Sequence, residues 1–205
     1  MPKENEMKKL LMTLFTVIFT LSLAAVVGAT SYSFQPSRVD LWDLDHYENY
    51  EWGIHWNLPE GEVISGARLF FDNIRNYSNS SNDLYVHLLD SNFEDILRKV
   101  DSKDGVDQYA GQGRLLFHWQ DLPDTPQDMT HYFSADDLAY LIAYDADGYF
   151  GFAFDPDCHF YNDGITLSID TATAPAPVPN PEPTTILLMG SGLTGLALFR
   201  RKRKK

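Results

Sequence analysis

Two clusters of aspartates are the first candidates for a functional site. The first is Asp40-Leu41-Trp42-Asp43-Leu44-Asp45-His46, in which Asp43 and Asp45 share a side if the segment is extended. The second is Asp155-Pro156-Asp157-Cys158-His159-Phe160-Tyr161-Asn162-Asp163-Gly164, where Pro156 forces a turn and several oxygen ligands fall in a short loop. Calcium takes six to eight oxygens from carboxylates and carbonyls. Asp43, Asp45, Asp155, Asp157 and Asp163 are therefore the expected ligands of one Ca2+, shared if the first and last strands of the domain are neighbours. The alternative is that these acids are solvated turn residues capping their own backbone. A carboxylate pair drawn from Asp43, Asp45, Asp155 and Asp157 would also suit a glycan hydrolase, given two carboxyls about 5 to 9 Å apart across a cleft. Asp145-Ala146-Asp147-Gly148 opens like an EF-hand, but Pro156 occupies the position of the bidentate glutamate, so it is read as a turn.

Aromatic residues supply the other candidate chemistry. Residues 31–170 contain 25 Trp, Tyr and Phe. Of these, Trp42, Trp56, Trp119 and Tyr161 lie beside polar or acidic residues, as do Tyr47 and Tyr109. Exposed rings next to carboxylates and amides hold pyranose rings, so these four are the expected ligand-binding residues for a polysaccharide. Packing in the core or at an edge is the competing expectation. Cys158 and His159 are adjacent and form no nucleophile–base pair unless a second histidine, such as His46 or His118, is brought in. No Gly-x-Ser-x-Gly, His-Glu-x-x-His or phosphate-cradling loop is present. The expected domain is thus non-enzymatic, with the hydrolase and a purely structural coat protein as alternatives.

Charge and cysteine count narrow the classes further. Residues 31–170 hold seven Lys and Arg against 26 Asp and Glu, a formal charge of −19. Phosphate backbones repel such a surface, which argues against nucleic-acid binding. Cys158 is the single cysteine, so neither an intramolecular disulfide nor a Cys-based zinc site can form.

The elements that must position these residues read as strands. Tyr50, Trp52, Ile54, Trp56 and Leu58 alternate with polar residues or glycine, and the same period of two recurs over 66–73, 83–90, 114–120, 149–154 and 165–170. Turn-rich sequences such as Asn79-Ser80-Ser81-Asn82, Asp104-Gly105 and Asn162-Asp163-Gly164 bound the runs. Six or more short strands in a 205-residue chain predict an all-β fold, an antiparallel, jelly-roll-like β-sandwich over 30–170. One short helix is expected after Ser134, which has an acid three residues later and Leu138, Leu141 and Ile142 as an apolar face.

Both ends carry targeting signals. Lys3, Lys8 and Lys9 precede an apolar run from Leu10 to Val27 that ends in small residues, so 1–29 is expected to be a signal peptide cut by signal peptidase after Ala29, with an uncleaved anchor as the alternative. Residues 171–184 alternate proline with small or polar residues, which predicts an extended spacer. Residues 185–199 are apolar and contain three glycines. At 1.5 Å per residue they would form a short transmembrane helix. Residues 200–205 are all Arg or Lys, a basic tail retained on the cytoplasmic side.

Pro181-Glu182-Pro183, a short glycine-containing helix and a basic terminus opening with Arg200 and Arg201, in that order, resemble the PEP-CTERM sorting signal of Gram-negative bacteria. The resemblance implies that an exosortase cuts near Pro-Glu-Pro and that the protein passes through an inner-membrane intermediate to the cell surface or extracellular matrix. Such matrices are commonly built of exopolysaccharide in biofilms. The segment Phe150 to Tyr161 is also similar to one near the end of a group of PEP-CTERM proteins. An ordinary tail anchor on a proline stalk is the plainer alternative.

Overall fold

The computed structural model describes residues 29–101 and 105–175. They form ten strands: β1 (Ala29–Phe34), β2 (Glu48–His55), β3 (Glu62–Asn76), β4 (Asp83–Leu89), β5 (Asp95–Val100), β6 (Arg114–Gln120), β7 (Gln127–Tyr132), β8 (Tyr149–Pro156), β9 (Phe160–Tyr161) and β10 (Gly164–Thr173). One α-helix, α1 (Ala135–Tyr144), lies between β7 and β8. The first sheet has the order β1-β10-β3-β7, with β9 also pairing β3, and the second runs β5-β2-β8-β4-β6. Every pairing is antiparallel. This is the expected β-sandwich.

Period-two alternation builds the core between the sheets. On β2, Tyr50, Trp52 and Ile54 are buried inward, and on β8 Phe150, Phe152 and Phe154 are fully buried beside them. From the first sheet, Leu69, Phe71, Ile165, Leu167 and Ile169 complete the same cluster. Phe71 meets Trp119 and Phe154 edge-on across the gap, with ring centroids 4.9 and 6.1 Å apart, the arrangement that aromatic quadrupoles favour.

Helix α1 begins as its sequence predicts. The Ser134 hydroxyl accepts from the Asp137 amide, and the Asp137 carboxylate accepts from the Ser134 amide, so two orphan donors are satisfied reciprocally. Arg114 of β6 donates to Asp137 over 2.9 Å and ties the cap to the second sheet. The helix touches β3 of one sheet and β4, β6 and β8 of the other, so it spans both layers. Its apolar face is narrower than expected, because Leu141 is fully buried but Ile142 is 50% exposed.

Strands β1, β5, β7 and β9 were not among the periodic runs. Strand β1 starts at Ala29, the last residue of the expected leader, and β10 continues to Thr173, past the expected start of the spacer. Ala29 pairs with Ala172, so the two chain ends leave the domain on adjacent strands. Residues 1–28, with most of the expected signal peptide, lie outside the described residues. So do 176–205, with most of the spacer, the expected transmembrane helix and the basic tail. Among the described residues no helix is long and apolar enough to cross a membrane.

Candidate functional site

The two acidic clusters do meet. Between β1 and β2, Leu41, Trp42, Asp43 and Leu44 form a tight turn with φ of 48°, 55°, 58° and 46°, four successive residues in the left-handed region. Such a conformation costs an L-residue about 1–2 kcal/mol each, so the surroundings must enforce it. Leu41 and Leu44 are fully buried, which anchors the turn from below. The loop between β9 and β10 holds it from the side: Asn162 donates its side-chain amide to the Asp40 carbonyl at 2.9 Å and its backbone N–H to Asp43 at 3.3 Å. The Asp40 carboxylate accepts from the Trp42 amide.

The five aspartates at these positions nevertheless serve separate partners. Asp43 accepts from Asn162, Asp45 from the Tyr47 amide at 3.3 Å, and Asp163 from the Asn73 side chain at 2.7 Å. Asp157 accepts from the Asp83 amide, and Asp155 from the Gln108 amide at 2.6 Å. Among the described residues, no group of three or more His, Cys, Asp or Glu side chains is arranged to hold a metal ion. In this structure each of the five accepts a hydrogen bond from an amide.

Asp155 stands apart because it is 3% exposed. Burial pushes its carboxyl up to about 6, against the Gln108 hydrogen bond, and the charges of Asp101, Asp107 and Asp157 add to the rise. It sits on the outer face of the second sheet, within a polar network that the sequence did not reveal. There His87, 2% exposed, has Nδ1 facing the Gln112 carbonyl and Nε2 facing Asp107, both at 3.1 Å. Tyr109 donates its hydroxyl to Asn49 at 2.8 Å, and Lys99 pairs with Glu51. Residues 107–112 cover this face and supply most of the partners.

The four aromatic candidates are distributed differently from expectation. Trp42 stacks on Tyr50 and lies under the Arg98 guanidinium, 4.2 Å from the ring centroid. Trp119 packs on Phe71 and Phe117 at 4.9 and 4.3 Å, at the margin of the core. Tyr161 lies against His159 at 4.5 Å and under Arg75 at 4.7 Å. Trp56 packs on Tyr32 and Phe34 at 5.2 and 5.9 Å. The structure does not gather these four into one surface.

Phe34 leads from Trp56 to an open cleft of about 650 Å³ at the sandwich edge where β1 approaches β2 and the start of β5. Its lining includes the aromatic residues Phe34, Trp52 and His55, the polar residues Ser33, Gln35 and Ser37, and the acidic residues Glu94 and Asp95, with the Gln35 side chain donating to Thr166 of β10 at 2.9 Å. Trp52 is nearly buried and forms part of the floor, whereas His55 is exposed and stacks on Tyr149 with centroids 4.4 Å apart and planes 11° from parallel. Ser37 donates to Asp95 at 2.5 Å and fixes that carboxylate on the rim. Of the expected ligand-binding residues, Trp56 alone supports this cleft, from behind Phe34. Alternation on β2 was legible, but nothing local marks Ser33, Gln35 and Asp95 as its neighbours.

Comparison with known proteins adds one strong match. The PEP-CTERM protein-sorting motif matches residues 181–204. No curated protein matches the sequence. Among solved structures, latent aurone synthase (polyphenol oxidase) from natural source is similar at 12% identity, with 60% of this chain and 24% of that chain covered and a TM-score of 0.35. Recombinantly expressed latent aurone synthase is similar at 11% identity, with 70% and 28% covered and a TM-score of 0.37. The CBM22-1-GH10 modules of Clostridium thermocellum xylanase 10B with xylohexaose are similar at 8% identity, with 77% and 26% covered and a TM-score of 0.21. This chain therefore spans about a quarter of the length of those structures, and likenesses this distant carry no argument about its activity. The sorting motif does carry one. The chain carries a PEP-CTERM protein-sorting motif, the signal of an exported protein that is processed by an exosortase on its way to the cell surface or the extracellular space.

Proposed function

We propose that the exported sandwich is a non-enzymatic binding module that holds polysaccharide of the extracellular matrix in the cleft between β1, β2 and β5. The observation that carries this reading is the composition of that cleft. Phe34 and His55 line it together with the polar residues Ser33, Gln35 and Ser37 and the acidic residues Glu94 and Asp95. A pyranose presents an apolar C–H face and a rim of hydroxyls, and this pairing of flat rings with polar groups matches both. An open cleft also suits a polymer that must pass through rather than be enclosed. The domain's negative charge favours a neutral or cationic glycan over an anionic one.

The test is to incubate the purified full chain with the exopolysaccharide of a producing strain, measuring retention by affinity electrophoresis and product by reducing-end assay. Retention without new reducing ends, weakened about tenfold by His55→Ala together with Phe34→Ala, is the expected result, tenfold being 1.4 kcal/mol. New reducing ends would instead indicate a glycan hydrolase, and neither signal a structural coat protein.

A further inference from the structure

A second cavity lies at the far end of α1. It has a volume of about 310 Å³, and its walls are Leu58, Ile64 and Ile142 with Ala146. Asn57, Asp145 and Gly148 complete the lining. Asp145 is 9% exposed, and its Oδ1 is buried with no hydrogen-bond partner. A carboxylate oxygen left unpaired away from water is costly, and its presence calls for a missing donor. The surrounding field has the same sign. Asp145 is the C-cap of α1, where the helix dipole presents its negative end and the last carbonyls lack intrahelical partners. Asp147 adds a second carboxylate, and the last turn of neither α1 nor the following Asp145–Asp147 turn contains a basic residue. Burial, then Asp147, pushes the Asp145 carboxyl up to about 6, as expected of an acid without its counter-ion. Gly148 admits the Asn57 carboxamide oxygen to within 2.8 Å of where a Cβ would stand, at φ 86°, which places a second acceptor on the lining.

We propose that this cavity is a binding site for a primary alkylammonium group, with Asp145 as its counter-ion and the Leu58–Ile64–Ile142 walls around its alkyl chain. Calcium would need six to eight oxygens, and these walls are aliphatic. A neutral apolar guest would leave the Asp145 oxygen unpaired. An alkylammonium supplies both the donor and the chain. The half-exposed Ile142, which does little for the core, finds its use as a wall.

Titration calorimetry of the full chain with n-butylammonium chloride at pH 7.5 tests this, with 1-butanol and calcium chloride as parallel titrants. We expect saturable 1:1 binding of butylammonium, at least tenfold weaker binding of butanol, and no displacement by calcium. Asp145→Asn removes the counter-ion without changing shape and should weaken butylammonium at least tenfold. Ile142→Lys should deliver an ammonium in cis, raising the melting temperature and abolishing binding of the added amine, and it decides the matter if the first variant fails to fold. Equal binding of butanol and butylammonium, full binding by Asp145→Asn, displacement by calcium, or an unchanged affinity in Ile142→Lys would each overturn the proposal.

Discussion

The second sheet is buried on both faces at its centre, and there the two faces are buried by opposite chemistry. Inward, Phe152, Phe154, Leu84 and Val86 meet the other sheet in an apolar core. Outward, one residue away on the same strands, Glu51, His87 and Asp155 are 9, 2 and 3% exposed and are covered by a loop that brings Asp107, Gln108, Tyr109 and Gln112. The inner face is held by non-directional burial, which tolerates changes of shape but not of volume. The outer face is held by directional bonds, whose main energetic weight lies in the penalty for leaving one unmade. A strand of a sandwich can thus carry two different stabilising devices on alternate residues, with only one of them recognisable as a core.

That contrast can be broken first from the inside. Phe152→Ala should lower unfolding free energy by about 3–5 kcal/mol, as large-to-small core changes do, read as a fall in the urea midpoint. A loss below 1 kcal/mol would mean that the inner face is not the principal core. On the outer face, Gly53→Ala is expected to cost about 1–3 kcal/mol as an overpacking change. Gly53 pairs with Gly151, and a Cβ at 53 would stand 2.2 Å from the Phe93 carbonyl, so the chain around Phe93 must lift from the sheet. Increased proteolysis in residues 90–95 of the variant would report that lifting. Tyr109→Phe should cost about 1–2 kcal/mol, because it leaves the buried Asn49 oxygen without its donor. Chemical denaturation measures it, and an unchanged midpoint would show that water replaces the hydroxyl.

The last prediction has the opposite sign. The Asp155 carboxyl is raised to about 6 in the folded protein, above its ordinary value of 3.8. The folded state therefore holds the proton more tightly than the unfolded chain does. The stability this contributes is fully present below about pH 4 and is lost as pH rises through about 6. Asp155→Asn should accordingly gain on the order of 1 kcal/mol over the wild type at pH 7.5 and nothing at pH 4, since Asn can still accept from Gln108. Unfolding midpoints at the two pH values check it, and a variant less stable than wild type at pH 7.5 would mean that the charged form is favoured by the loop.

Several features of the molecule are encoded in local pattern alone. Tyr50-Trp52-Ile54 and Phe150-Phe152-Phe154 announce an inner face, because successive side chains of a strand point to opposite sides whatever lies beyond them. Ser134 and Asp137 announce a helix start, because the capping box is completed within four residues. Pro181-Glu182-Pro183 and the basic terminus are read as linear sequence, so the destination of the chain was legible without a fold. The edge strand β1 was not legible, since its Ser31, Tyr32 and Ser33 alternate weakly and it owes its place to pairing with β10, more than 130 residues away. The meeting of the two acidic clusters was anticipated, and capping of backbone amides by their acids was the alternative to a shared ion. The left-handed turn at 41–44 and the Asn162 amide fix Asp43, whereas Asp155, Asp157 and Asp163 take their partners from Gln108, Asp83 and Asn73. Packing between segments remote in sequence puts Glu51, His87 and Asp155 under a loop, forms the cleft at the β1–β2–β5 edge, and buries Asp145 Oδ1 without a hydrogen-bond partner. Period two identifies which residues share a face, whereas what covers that face depends on loops whose contacts are remote in sequence and leave no periodic trace.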